Sequence, residues 1–209
     1  MSQKIVITIS RQYGSGGRLI GQMLAKELNI PFYDKELIAV ASKESGIAQG
    51  IFEKADEQAS NSLMYTLSMG MFPTAAGSSF SNMPMNDRVF LIQSDIIRRF
   101  ASEGSCVIVG RCADYVLRND PNAVNVFIHS DQESRIKRAI DSYQIPADKA
   151  RAFVVKTDKR RATYHDYYTG VKWGRAENYH LCIYSDFIGL EGAVQTIRAF
   201  AECHLAKQQ

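Results

Sequence analysis

The chain has 209 residues, 45% hydrophobic and 22% charged, with a formal net charge of +3. That balance belongs to a globular protein and excludes a disordered or fibrous chain, and so small a positive surplus gives no argument for a nucleic-acid partner. No apolar run reaches the roughly 18 residues of a membrane span, and MSQK leads straight into an apolar segment, so no signal peptide, no membrane partner and a cytoplasmic location are expected.

Ile5, Val6, Ile7 and Ile9 form a β-branched run, read as a buried strand. Gly14-Ser15-Gly16-Gly17 follows. Then come Arg18 and a helical spacing of Leu19, Ile20, Met23, Leu24 and Leu28. Strand, glycine turn and helix form the layout that gathers backbone N–H groups and a helix dipole onto a phosphate. Measured against G-x-x-x-x-G-K-[ST], with the last glycine at Gly16, the lysine position holds Gly17, the Ser/Thr position Arg18 and the first glycine position Arg11. A turn that needs glycines only for its backbone shape remains open at this point.

Asn29 and Pro31 stop the first helix, Ile30, Phe32 and Tyr33 suggest a short second strand, and Asp34 stands at its carboxyl end. Asp34 has two readings, a cap for a helix running from Lys35 to about Ser45 and a functional carboxylate at the ligand edge of a parallel sheet. Residues 46–85 suggest loose helical spacing up to Met71, then a stretch rich in Ala, Gly, Ser, Asn and Met. The choice there is a mobile surface loop, a substrate lid or a plain insertion.

A helix is expected from Asn86 or Asp87, with Val89, Phe90, Ile92, Ile96, Ile97 and Phe100 on one face. Ser105 to Val109 is nearly all apolar, as a central parallel strand is, and Gly110-Arg111 follows it, placing an arginine that needs an anionic partner or water. A short turn, Cys112 to Leu117, leads to a strand over residues 122–128 and a helix capped by Ser130-Asp131. Lys149 to about Tyr168 is a further helix bearing Lys156, Lys159, Arg160, Arg161 and His165; its basic residues are either a solvated face or a lid closing on phosphates. Leu181 to Tyr184 is the last strand, before a final helix from about Glu191 to Leu205. Cys106, Cys112, Cys182 and Cys203 lack C-x-x-C spacing, and several sit inside apolar runs, where they read as buried thiols rather than as ligands or disulfides.

Five candidate strands alternating with helices predict an α/β three-layer fold with a parallel sheet, in one domain over residues 1–209. ISRQYGSGGRLIGQMLAKEL, PFYDKELI, VIVGRCADYVL, TDKRRATYHDYYTGVKWG and NYHLCIYSD occur in that order. Together they resemble the nucleoside monophosphate kinases, and most closely the cytidylate kinase-like family, over nearly the whole chain. The resemblance implies a P-loop fold with a five-stranded sheet, a mobile acceptor-binding insert in 35–100 and a lid in 132–175. It implies transfer of the γ-phosphoryl of ATP, with Mg²⁺, to a nucleoside monophosphate such as CMP. Gly14, Ser15, Gly16, Gly17 and Arg18 would hold ATP, Asp34 and Arg111 the acceptor, and Arg18, Arg160 and Arg161 the charge of the transferring group. The Gly-Arg-Asp of cytidylate kinases becomes Gly110-Arg111-Cys112, so a sugar-binding aspartate is missing, and Mg²⁺ would depend on Ser10, Ser15 or water. The absent lysine leaves room for a nucleotide-binding regulatory protein without catalysis, and Cys112 for a kinase whose acceptor is not a nucleotide. His165 is read as structural or as lid surface.

Overall fold

The computed structural model describes residues 4–51 and 83–207. Most of the expected segment 46–85 therefore lies outside the described residues, as does the middle of the acceptor-binding insert. Among the described residues the order is β1 (Val6–Arg11), α1 (Gly17–Leu28), β2 (Phe32–Tyr33), α2 (Lys35–Ser45), α3 (Met85–Glu103), β3 (Cys106–Val109) and α4 (Ala113–Val116). It continues with β4 (Ala123–His129), α5 (Gln132–Asp141), α6 (Ala147–Thr169), a 3₁₀ turn (Ala176–Asn178), β5 (Leu181–Tyr184) and α7 (Ser185–Ala206).

The five strands form one parallel sheet in the order β2-β3-β1-β4-β5. Both faces are covered, which is why the central strands read as continuous apolar runs. Ile7 and Ile9 of β1, Val107 and Val109 of β3, and Val124, Val126 and Ile128 of β4 pack against Ile20, Leu24 and Ile197 of α1 and α7. On the other face Val6, Cys106, Ile108 and Ala123 meet Leu37, Ile97 and Ala113 from α2, α3 and α4. The period of two along each strand thus feeds two cores, one on each side of the sheet. A polar seam crosses the second core: Thr8 Oγ1 donates to Asn125 Oδ1 at 2.7 Å, and Asn125 Nδ2 donates to the Asp114 carbonyl at 3.2 Å.

Two expectations change. The final helix starts at Ser185 instead of near Glu191, because a first turn after β5 joins the main helix across Gly189 at φ 74°. Asp34 occupies the N-cap position of α2 without a side-chain capping bond. Of the four thiols only Cys106 and Cys112 are buried, while Cys182 and Cys203 are exposed. No described helix is long and apolar enough to cross a membrane.

Candidate functional site

The pairings of β1 with β3 and of β2 with β3 bring Arg11, Asp34 and Gly110-Arg111 to one carboxyl edge of the sheet. That edge is where an open parallel sheet binds ligands. A cleft of about 330 Å³ opens there, lined by Arg11, Arg18, Asp34, Arg111, Arg160 and Arg161 among others. Its volume suits a small organic molecule. A second recess of about 470 Å³ continues it along Gly14, Gly16, Gly17 and Tyr143. Arg11, Tyr13, Arg18 and Arg161 line both, so they stand at the junction.

The glycine turn ends in α1, whose N-cap is Gly16 at φ 80°; Gly14, at φ 79°, is also left-handed, a conformation that L side chains resist. Gly14 to Gly17 are buried, yet Gly14, Gly16 and Gly17 face the second recess and leave the amides at the helix start a space for an anion. Ser15 turns inward: its N–H and its hydroxyl donate to the Gln12 carbonyl at 3.3 Å and 2.9 Å.

Residues not singled out from the sequence hold the turn from outside. Asp158 accepts from the Tyr13 N–H at 2.6 Å and pairs with the Arg135 guanidinium. Arg138 Nη1 donates to the Gly14 carbonyl at 2.5 Å. Burial raises the pKa of Asp158 against the opposing pull of the Tyr13 amide and Arg135. The spacing of Arg135 and Arg138, three apart on one helix, was the available signal for a shared face.

The predicted site residues converge. Arg18 Nε donates to Asp34 Oδ2 at 2.6 Å, so Arg18 is tied to the expected acceptor carboxylate while it borders the second recess. Arg111 follows Gly110 in a left-handed turn, with φ 58° at Arg111 and 54° at Cys112. Two non-glycine residues in that region mark a constrained loop, a feature that gathers at functional sites. Burial lowers the pKa of Arg111, opposed by Tyr164, with Arg11 lowering it further. Arg161 Nη1 donates to the Arg11 carbonyl at 3.0 Å, and its guanidinium lies 5.5 Å from the Tyr13 ring centre. Burial first, and then Arg11, push the Arg161 pKa down to about 9. Lys156 and Lys159 are exposed, so the basic helix divides into a solvated face and a cleft face.

His165 is 3% exposed and fixed on both ring nitrogens, by Asp114 Oδ2 at 2.8 Å and Thr169 Oγ1 at 3.2 Å. That is a structural strut in the cleft wall. Cys112 is 4% exposed beside Tyr164, and burial raises its thiol well above the ordinary range, so it offers neither a carboxylate nor a thiolate. For Mg²⁺, the Ser15 hydroxyl is committed to Gln12, and the described residues contain no group of three or more His, Cys, Asp or Glu able to hold a metal. Ser10 lines the cleft beside Arg18 and Asp34. These residues fit an ion carried mainly by substrate phosphates and water, as Mg²⁺ commonly is.

A search of curated proteins gives no match. Among solved structures, an uncharacterized protein from Eubacterium ventriosum ATCC 27560 is 30% identical at a TM-score of 0.73, covering 96% of this chain and 99% of the other. Shikimate kinase from Bacteroides thetaiotaomicron is 15% identical at a TM-score of 0.55, covering 96% of this chain and 99% of its own. A gluconokinase from Sinorhizobium meliloti 1021 is 14% identical at a TM-score of 0.51, covering 99% and 98%. The latter two share the three-layer α/β fold of P-loop kinases. The family model that matches, over residues 6–186, is that of the cytidylate kinase-like family, and the chain belongs to this family.

Proposed function

We propose that the chain transfers the γ-phosphoryl of ATP to a small phosphorylated acceptor, with a nucleoside monophosphate such as CMP the leading candidate. One observation carries this reading: among the described residues five arginines, Arg11, Arg18, Arg111, Arg160 and Arg161, line one cleft in which Asp34 is the only carboxylate. For Arg11, Arg111 and Arg161 burial already works against the charge. Arginines gathered in one cleft against their own desolvation suit a ligand carrying several negative charges.

The roles follow from position. The amides of Gly14, Gly16 and Gly17 face the donor phosphates. Arg111 and Asp34 hold the acceptor, Arg111 through its phosphate. Arg18, Arg160 and Arg161 stand where charge builds on the group in flight, which is where fixed cations lower the barrier. Ser10, which lines the cleft, and water would hold the Mg²⁺ that accompanies ATP, and the ion would supply positive charge to the phosphates.

The test is ADP formation from ATP over a panel of nucleoside monophosphates, with thermal unfolding beside it. Arg111→Met is expected to raise the acceptor KM ten- to a hundredfold, since a lost charge-assisted hydrogen bond costs on the order of 1.5–3 kcal/mol, and to leave ATP affinity and Tm near wild type. A variant that unfolds earlier yet keeps its acceptor KM would make Arg111 a structural cation.

A second reading has its own observation. Cys112 is buried where cytidylate kinases carry an aspartate for the sugar, so nothing at that position recognises ribose hydroxyls. The structures named for shikimate and gluconate act by name on acceptors that are not nucleotides. Transfer to such an acceptor and to no nucleoside monophosphate would decide for this reading. Tight ATP binding without any transfer would point to a regulatory protein.

A further inference from the structure

Arg11 is the last residue of β1 and sits where a phosphate-binding loop has its first glycine. Its carbonyl takes the hydrogen bond from Arg161, but among the described residues no oxygen accepts one from its guanidinium. Burial lowers its pKa, and Arg18 adds to this; Asp34 and Asp158 act the other way at a distance. The group lines both the acceptor cleft and the recess beside the glycine turn. An arginine so placed, half-buried and open to both recesses, can turn its N–H groups toward a bound anion.

Two glycines lie against this side chain. A Cβ on Gly17 would lie 2.6 Å from the Arg11 Cβ and 3.1 Å from its Cγ. A Cβ on Gly110, whose φ of 77° favours glycine in any case, would also meet the mobile end of this side chain at Arg11 Nη1. Gly17 is the lysine position of the standard loop. A lysine there and the observed Arg11 side chain exclude each other, since a Cβ at 2.6 Å already requires one of them to move.

We propose that Arg11 is the phosphate-gripping cation of this loop: it contacts the phosphoryl group at the donor–acceptor junction in place of the absent lysine, and Gly17 is glycine to admit it. The exchange is a paired one, arginine for the first glycine and glycine for the lysine. A planar guanidinium can hold two phosphate oxygens at once, whereas lysine acts as a point charge.

This rests on the phosphotransferase reading, and the experiment separates the two. Binding of inorganic tripolyphosphate is measured by calorimetry and by the rise in Tm, without turnover. Arg11→Met is expected to weaken binding about ten- to a hundredfold, and Arg11→Lys to keep part of it. Gly17→Lys alone is expected to lower Tm, and the pair Arg11→Gly with Gly17→Lys to recover both Tm and tripolyphosphate binding, a coupling that independent sites do not show. Undiminished binding by Arg11→Met, or additive effects at positions 11 and 17, overturns the inference and leaves the proposed function standing. Loss of binding with Arg11 in a chain that transfers nothing to any acceptor supports the inference and removes the function. A wild-type chain blind to tripolyphosphate overturns both.

Discussion

Arg161 shows how a binding site is maintained against stability. Its charged form is disfavoured in the fold by burial and by Arg11, which hold its pKa near about 9 against an ordinary 12.5. A group whose folded pKa is depressed gives stability that is full above the unfolded value and lost as pH falls through the folded one. At pH 7–8 the charged Arg161 therefore works against folding of the free protein. Arg161→Met is expected to raise the Tm of the free protein at pH 7.5 and to reduce its stabilisation by tripolyphosphate. The Tm advantage should shrink as pH rises from 8 toward 10, because wild-type Arg161 then sheds its proton. The check is thermal unfolding of both proteins across that range. An advantage that stays constant with pH would mean the Met side chain merely packs better. The neighbouring Arg18–Asp34 pair differs, since the Arg18 side chain is 45% exposed and its contact with Asp34 counts for little in stability. Its value lies in placing a carboxylate.

At the scale of elements, α5 and α6 hold the glycine turn in register with the sheet. Asp158 on α6 ties the Tyr13 amide and, through Arg135, the start of α5, with side chains 16% and 10% exposed. Removing one partner of so enclosed a pair leaves the other charge unbalanced, so Asp158→Ala is expected to cost about 3–5 kcal/mol. The loop should also lose affinity for tripolyphosphate. The control is Asp166→Ala, which breaks a pair with Lys172 whose lysine side chain is 71% exposed and whose ionic part is worth roughly 0–1 kcal/mol. Denaturant unfolding of both variants separates them; equal costs would mean the Asp158 pair is as solvated as the surface one. This element also marks what the sequence could convey. Lys35–Ser45 and Leu181–Tyr184 emerge with the expected bounds because their sequence signals lie within a few residues, although Asp34 marks the start of α2 without making a capping bond. The sheet edge that joins Asp34 to Arg111 was legible as well, since strand ends in a parallel sheet share a side. The Asp158–Tyr13 contact was not, because the partners lie 145 residues apart and meet only once two helices have docked. Arg11 was visible only as a missing glycine. Gly17 carried its signature, but only the folded chain shows that the space this glycine leaves holds the Arg11 side chain.

At the scale of the molecule, the expected lid, residues 132–175, bears on how the chain unfolds. Asp158 and Arg138 bond to the residues of the glycine turn, Arg135 pairs with Asp158, and the turn continues into β1 and α1 of the core. The two helices and the sheet therefore share one set of buried contacts, and in the free protein a crowd of arginines strains the place where they meet. A polyanion that binds only the folded chain relieves that strain and stabilises by mass action, about 2.7 kcal/mol at a hundred times Kd. For a chain of this length each kcal/mol moves Tm by roughly 2–4 °C, which places the expected rise with tripolyphosphate at about 5–11 °C. The shift should follow charge, with orthophosphate below pyrophosphate and pyrophosphate below tripolyphosphate at equal concentration, because Arg11, Arg18 and Arg161 line both recesses and a longer anion reaches more of them. It should also shrink in 1 M salt, where the screening length falls to about 3 Å. Calorimetry should show one transition that moves as a whole. A first transition that ignores the anion, followed by a second that responds to it, would mean that residues 132–175 unfold apart from the core and that the contacts of Asp158, Arg135 and Arg138 do not bind the lid to the loop.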